Sequence, residues 1–272
     1  MVEHVEVYAL AIETSGRVGS VALVRDGVVL AEPTFEHGLK HAAGILPMID
    51  KLCRDHGVGP GDLAELYLSI GPGSFTGLRI GVTLAKTMTL TTAVKIVAVP
   101  TVQALAANAP ADARDIIIVL DAKRDQIFTA AFERRGPAPS PGTPGEGGGE
   151  GSVSTLAARS AFETEPSPYP LPAYREREPA HLDSLADMLA RAPRPVHLLG
   201  EGIPYHDKFI PKDDAGVIVT SPDTWRARAG VVAAIGMAMA KQNQFADPDR
   251  LVPLYIRKSE AEEKWEAMQN AL

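Results

Sequence analysis

The sequence predicts an α/β protein built from two similar lobes, and three observations carry that prediction. Twice, an apolar strand ends on an acidic residue and returns through a polar turn, first in "VYALAIETSGRVGSVAL" and again in "DIIIVLDAKRDQIFTAAF". Each such hairpin is followed by a helical pattern and then by a strand that ends in glycine, "LAELYLSIGPG" in the first half and "PVHLLGEG" in the second. With 272 residues, 45% of them hydrophobic, the chain has enough apolar material for one large core or two lobes with a cleft between them.

The elements follow in order. "MVEHVEVYALAI" has neither the basic start nor the long apolar run of a signal peptide and leads directly into a strand, so a cytoplasmic protein is expected. Three strands are expected through Phe35, with turns at Ser15-Gly16 and Asp26-Gly27, the second a strong hairpin signal. A helix follows from about His41 to Arg54, with Ala42, Ile45, Leu46, Ile49, Leu52 and Cys53 as its core face and a kink at Pro47. After the next strand, Thr76 is the expected N-cap of a helix from Gly77 to about Thr91. The helix in "TVQALAANA" closes a first lobe of residues 1–109 and leaves 110–272 as the second.

Inside the second lobe, 11 of the 17 residues from Gly136 to Ser152 are Gly or Pro. Such a stretch cannot bury enough apolar surface to offset its ordering entropy, and a mobile surface insertion at about 136–180 is expected. A helix in "AHLDSLADMLARA" then precedes the last glycine-ended strand.

Bulk chemistry narrows the function. A net charge of -7 gives no general attraction to a nucleic-acid backbone, so a nucleic-acid substrate would need help from a partner. Cys53 is the only cysteine, which excludes an intrachain disulfide and a Cys-based zinc site. The longest apolar runs fall far short of the roughly 20 residues of a membrane helix.

The stretch from Ser69 to Met88, "SIGPGSFTGLRIGVTLAKTM", raises the central question. It lacks the lysine and hydroxyl of a Walker A loop at their required spacing, although a helix start near Arg79 could still attract an anion. Gly77, Gly81 and Ala85 recur every four residues and share one helical face. An interior glycine costs roughly 1 kcal/mol against alanine in a helix, so two on one stripe imply close approach of another backbone. Either that backbone belongs to the helix's own sheet or it belongs to another molecule.

Catalytic readings are incomplete. His37 and His41 stand four apart, but no H-E-x-x-H pattern or nearby carboxylate completes a ligand set, and no metal site is expected. No G-x-S-x-G elbow occurs, and Cys53 sits on an apolar helix face. Glu13 and Asp121, each at a strand end, suit capping of their turns, and Gly200-Glu201-Gly202 suits a tight turn.

The motifs "ALAIETSGRVGSVAL", "HAAGILPMID", "SIGPGSFTGLRIGVTLAK", "VLDAKRDQIFTAAF", "LLGEG" and "PLYIRKSEAE" resemble, in this order, those of the bacterial tRNA threonylcarbamoyladenosine biosynthesis family TsaB. The resemblance covers almost the whole chain outside the Gly/Pro-rich insertion. It implies an actin-like (ASKHA) fold of two duplicated α/β lobes with mixed sheets. It also implies a noncatalytic scaffold, with no cofactor of its own, for a TsaD-like catalytic subunit, completed by a TsaE-like ATPase. ATP, magnesium and a metal would belong to those partners, and tRNA would be met only through the assembly. The assembly places threonylcarbamoyl on the adenosine beside the anticodon of tRNAs reading A-starting codons.

On this resemblance the docking surface comprises His41, Ile45, Met48 and Leu52 of the first helix and Gly77, Arg79, Gly81, Leu84, Ala85 and Met88 of the second. The same helices would mediate self-association when the partner is absent. Glu13, Asp121, Gly200, Glu201 and Gly202 would be remnants of a nucleotide side. The second turn, Asp121 to Asp125, carries bulky side chains where actin-like phosphotransferases need small ones, and Glu13 stands where the family usually has Asp. The competing reading is an actin-like ATP-dependent transferase or metal-dependent hydrolase active on its own.

Overall fold

A computed structural model of the protein describes residues 6–36, 41–135 and 174–257, together with Trp265 and Gln269. The first sheet is built on a meander of β1 (Tyr8–Glu13), β2 (Val18–Arg25) and β3 (Val28–Ala31), with a short β4 (Thr34–Glu36) also on β2. Strands β5 (Leu63–Ser69) and β6 (Lys95–Val99) continue in parallel on the other side of β1. In the second sheet, β7 (Asp115–Asp121), β8 (Ile127–Arg134) and β9 (Tyr174–Asp183) repeat the meander. Strands β10 (Val196–Leu199) and β11 (Val217–Val219) again extend it in parallel beside the first strand. The orders β3-β2-β1-β5-β6 and β9-β8-β7-β10-β11 are one topology used twice, the duplicated mixed α/β plan that the sequence predicts.

Among the described residues, the α-helices that cover the sheets are α1 (His41–Asp55), α2 (Phe75–Thr89), α3 (Thr101–Ala106), α4 (Leu185–Arg191), α5 (Ile203–His206) and α6 (Ala229–Ala240). They divide the interior into three apolar cores. The first lies between the first sheet and the outer helices α1 and α2, and contains Leu10, Ile12, Ile45, Leu52, Leu66 and Val82. A central core joins the two lobes, from Ala9 and Ala11 through Val102 and Val232 to Ile116 and Ile118. The third, around Ile117, Val119, Leu185 and Met188, lies on the far face of the second sheet. Alternate residues of β1 and of β7 therefore feed different cores, as the period of a strand buried on both faces dictates.

Several local expectations are corrected. Ser74, not Thr76, caps α2: its Oγ accepts from the Gly77 N–H at 3.3 Å, and the helix starts two residues earlier than expected. Leu46, expected on the core face of α1, is 55% exposed. The expected insertion ends too late, because Tyr174–Asp183 is a strand paired with β8, and α4 begins only after the Ser184 cap. The Gly/Pro-rich stretch from Gly136 to Ser152 lies outside the described residues, as does His37.

The division at residue 109 also needs amendment, because α6 belongs to the chain's second half yet packs on β1, β2, β5 and β6 of the first sheet. Its first turn is tied there, the Ala229 N–H donating to Ser20 Oγ at 2.8 Å and the Gly230 N–H to Glu32 Oε1 at 3.1 Å. Gly236 lets it approach: a Cβ there would stand 2.5 Å from the Tyr67 ring.

Candidate partner-docking surface

Helices α1 and α2 form the outer layer of the first lobe, and their free faces enclose an open groove of about 490 Å³. Ile45 and Leu46 of α1 form one wall; Phe75, Thr76, Arg79, Ile80, Thr83, Leu84 and Thr87 of α2 form the other. The lining is mainly apolar, and Leu46 and Phe75, at 55% and 40% exposed, present large side chains to solvent. The Arg79 guanidinium lies 5.2 Å over the Phe75 ring, and among the described residues it makes no ion pair. Such a concave apolar strip with a single cation is suited to receive a complementary helical face rather than a small polar substrate.

The glycine stripe does not lie on this groove. A Cβ on Gly81 would come within 2.7 Å of Thr14 Oγ1 and 3.0 Å of Leu68 Cδ1, so this face of α2 is pressed against the chain's own first hairpin turn and β5. Gly77 and Ala85 are buried on the same helix, and Leu52 on α1 is buried in the core below it. In the preceding loop, a Cβ on Gly73 would meet Ser15 O at 2.5 Å, where the Ser74 N–H also donates to Ser15 O at 2.7 Å. Gly81 therefore admits the Thr14 and Leu68 side chains and Gly73 the Ser15 backbone, all of the same lobe, and Gly77, Gly81, Ala85 and Leu52, expected to touch a partner, are instead buried within it. Of the other expected contacts, Ile45, Arg79 and Leu84 line the groove, and Met48 and Met88 are half-buried against the core below. His41 opens α1, and its side chain lies outside the described atoms.

The cleft between the lobes gathers the residues expected on a nucleotide side. Glu13 is fully buried and accepts from the Ser15 N–H and hydroxyl, both at 2.5 Å. Burial pushes its carboxyl up, against the hydrogen bonds from Ser15, and nearby Glu201 adds to the rise. Glu201 crosses from the second lobe and accepts from the Arg17 N–H at 2.8 Å; burial raises its carboxyl as well. The Gly200 and Gly202 backbones rest on β7, where a Cβ would meet Val119 O at 2.2 Å and Asp121 N at 2.6 Å respectively.

Asp121 closes the second turn. It accepts from the Lys123 N–H at 3.0 Å, pairs with Lys123 Nζ at 2.6 Å, and lies 3.4 Å from His206 Nε2. Burial alone would raise its carboxyl, but Lys123 and His206 hold it below its ordinary value. Lys123, Arg124 and Asp125 all adopt positive φ (65°, 54° and 56°), the left-handed conformation of glycine carried by bulky side chains. The Tyr205 ring lies between the turns, with Arg17 at 4.8 Å and Lys123 at 5.4 Å. The Glu201 carboxyl and the Tyr205 ring thus stand between the two hairpin turns. Among the described residues, no three His, Cys, Asp or Glu side chains converge to hold a metal ion. Cys53 is buried, with its thiol pushed up by that burial and by Asp50, the opposite of a poised nucleophile.

Compared with known proteins, the chain is 29% identical over 258 residues to the tRNA threonylcarbamoyladenosine biosynthesis protein TsaB of Bacillus subtilis, an alignment covering 94% of this chain and 96% of that one. The chain is homologous to the TsaB proteins. It is also 34% identical over 128 residues to Escherichia coli TsaB, covering 46% of this chain and 54% of that one, so this alignment spans about half of each protein. A family model described as TsaD: tRNA N6-adenosine threonylcarbamoyltransferase matches residues 36–138. Among solved structures, YeaZ from Pseudomonas aeruginosa superposes with a TM-score of 0.66 at 18% identity, over 92% of this chain and 99% of that one, a likeness of fold. No helix among the described residues is long and apolar enough to cross a membrane.

Sequence reasoning missed Leu46, Phe75, Thr76, Ile80, Thr83 and Thr87 as groove residues. The signal was present in the threonines: Thr76, Thr83 and Thr87 mark one stripe of an otherwise apolar helix, and the polar stripe is the one that meets solvent.

Proposed function

We propose that this chain is a noncatalytic accessory subunit of the assembly that installs threonylcarbamoyl on the adenosine beside the anticodon of tRNAs reading A-starting codons. The observation that carries the reading is the alignment with Bacillus subtilis TsaB along 94% of the chain. The match of residues 36–138 to a TsaD model supports a TsaD-type subunit, itself of related build, as the partner.

The groove between α1 and α2 supplies the contact, with Ile45, Leu46, Phe75, Arg79, Ile80 and Leu84 as its centre and His41, Met48 and Met88 at its rim. A TsaE-type ATPase completes the assembly and brings ATP and magnesium, any metal resides in the partners, and tRNA is engaged only through the complex, in the cytoplasm. The same groove holds a second copy of the chain when no partner is present. Residues 1–109 together with α6 act as the docking lobe, and the remainder of 110–272 as the second lobe. Glu13, Asp121, Gly200, Glu201 and Gly202 brace the two hairpin turns instead of binding nucleotide, and this is supported by the hydrogen bonds that Glu13, Asp121 and Glu201 accept from the turns themselves.

Leu46→Asp tests the reading. Leu46 is more than half exposed, so the variant is expected to keep its melting temperature within about 1 °C, as surface substitutions generally do. Capture of the TsaD-type subunit by the tagged chain should fall at least tenfold, because a buried unpaired carboxylate at an interface centre is costly. Undiminished capture would remove the groove from the proposal. Unchanged tRNA threonylcarbamoyladenosine in cells lacking the chain would remove the function.

A further inference from the structure

The first hairpin turn joins the second lobe to the groove. Glu201 reaches it from across the cleft, its Oε2 accepting from the Arg17 N–H at 2.8 Å and standing 3.1 Å from the place a Gly16 Cβ would take. The carboxylate is carried on a short stalk: the Gly202 N–H donates to Val119 O at 2.9 Å, and the Gly200 and Gly202 backbones lie too close to β7 to leave room for a side chain. A displacement of the second lobe is therefore delivered to residues 16 and 17 instead of being absorbed in a loose loop.

Just before those residues, the same turn grips α2. Ser15 O accepts from the Ser74 N–H at 2.7 Å, and Gly73 packs so closely that a Cβ there would stand 2.5 Å from the same oxygen. Ser74 is the N-cap of α2, its Oγ accepting from the Gly77 N–H at 3.3 Å, and the next residue, Phe75, lines the groove. Ser15 is itself fixed by the buried Glu13, whose Oε1 takes both its N–H and its hydroxyl. From Glu201 to Phe75 the route is thus two hydrogen bonds and two short runs of chain, 15–17 and 74–75. The lobes meet here against resistance, because the Glu201 charge adds to the rise of the Glu13 carboxyl, while Arg17 and Arg226 favour a charged Glu201. A contact held between opposing charges of this kind responds to small biases.

We propose that Glu201 is a positioning residue for the α1–α2 groove: by holding the Arg17 N–H, the second lobe fixes Ser15, and through it the Ser74 cap and the Phe75 end of the groove. The inference rests on the docking reading for what the groove receives, whereas the hold on α2 is a property of the chain alone. Such coupling is reciprocal, so a molecule seated against Phe75 in turn favours the closed cleft. A different tie to the second half, Asn108 Nδ2 to Arg226 O at 2.7 Å, starts just after α3 and does not involve the turn, which makes it the control.

Hydrogen exchange of the full-length chain, followed by mass spectrometry with no partner present, tests the hold. Glu201→Ala should speed exchange of the Ser74 and Gly77 amides at least about fivefold and leave the amides of α4 within about twofold of the unaltered chain. Glu201→Gln keeps a side-chain oxygen for the Arg17 N–H and should restore the unaltered rate, and Asn108→Ala should leave both amides unchanged. Equal rates in Glu201→Ala and the unaltered chain would overturn the proposal. So would acceleration spread evenly over both lobes, or the same acceleration in Asn108→Ala, since either reports general loosening. Glu201→Ala should also capture the TsaD-type subunit less well than the unaltered chain, and Glu201→Gln equally well. Unchanged capture by Glu201→Ala, where Leu46→Asp loses it, overturns the link to the groove and leaves the docking reading standing. If Leu46→Asp keeps full capture, the docking reading fails and the exchange rates still decide the hold on α2.

Discussion

Gly81 and Gly44 both lie inside helices, and replacing each by alanine should move stability in opposite directions. On intrinsic propensity alone, Gly→Ala in a helix interior gains up to about 1 kcal/mol. At Gly44 of α1 nothing lies within 4 Å of the added Cβ, so Gly44→Ala should realise most of that gain. At Gly81 the added carbon would stand 2.7 Å from Thr14 Oγ1 and 3.0 Å from Leu68 Cδ1. Thr14 and Leu68 are fully buried in the contact between α2 and its own sheet, and neither is the free end of a long flexible side chain.

Overpacking of that kind costs typically about 1–3 kcal/mol, which exceeds the propensity gain. Gly81→Ala should therefore lose about 1–2 kcal/mol net. Urea unfolding followed by circular dichroism reads both variants, as shifts of midpoint at unchanged slope. The reasoning is refuted if Gly81→Ala is as stable as Gly44→Ala. A Gly81→Ala chain of unaltered stability that fails to capture its partner would return the glycine stripe to the docking surface.

Two further outcomes follow from the cleft. The buried Glu13 carboxyl has its pKa raised above 4.5, so from 4.5 up to the raised value the folded chain holds more protons than the unfolded one, and stability falls as pH rises. Glu13→Gln keeps an oxygen for the Ser15 donors and should flatten that fall, by up to about 1.4 kcal/mol per pH unit for one proton; parallel stability profiles for the two chains would refute the assignment. Gly200→Ala would force a side chain into φ +130° and against Val119 O at 2.2 Å, and should cost about 3 kcal/mol through strain and overpacking together. A melting temperature within 1 °C of the parent would contradict the close packing of this turn on β7.

The duplicated plan was legible because hairpins and the strands that follow them are local: Asp26-Gly27 and Asp121 stand where the chain reverses, and each lobe repeats the same sequence of patterns. The groove was half legible. Periodicity identified α1 and α2 and the small-residue stripe, but it cannot say which neighbour fills the space a glycine leaves. Thr14 lies 67 positions from Gly81, and only the fold brings them together. Strand β9 was obscured by the same limit. "YREREPAHLD" has little β-branched or apolar character, and it is a strand because β8 offers an open edge for it to pair with. Leu46 was assigned to the core by its hydrophobicity, whereas Ile45 and Ile49 take those positions and turn Leu46 outward.

The return of α6 to the first sheet has a consequence for synthesis. When the ribosome has released the first 109 residues, the inner faces of β1, β5 and β6, with Ala9, Ala11, Tyr67 and Val97, still await a covering helix encoded more than a hundred codons later. The lobe that carries the groove can therefore finish its packing only once almost the whole polypeptide has emerged. Competence to recruit another subunit becomes a late event in biogenesis, and prematurely terminated products lack it.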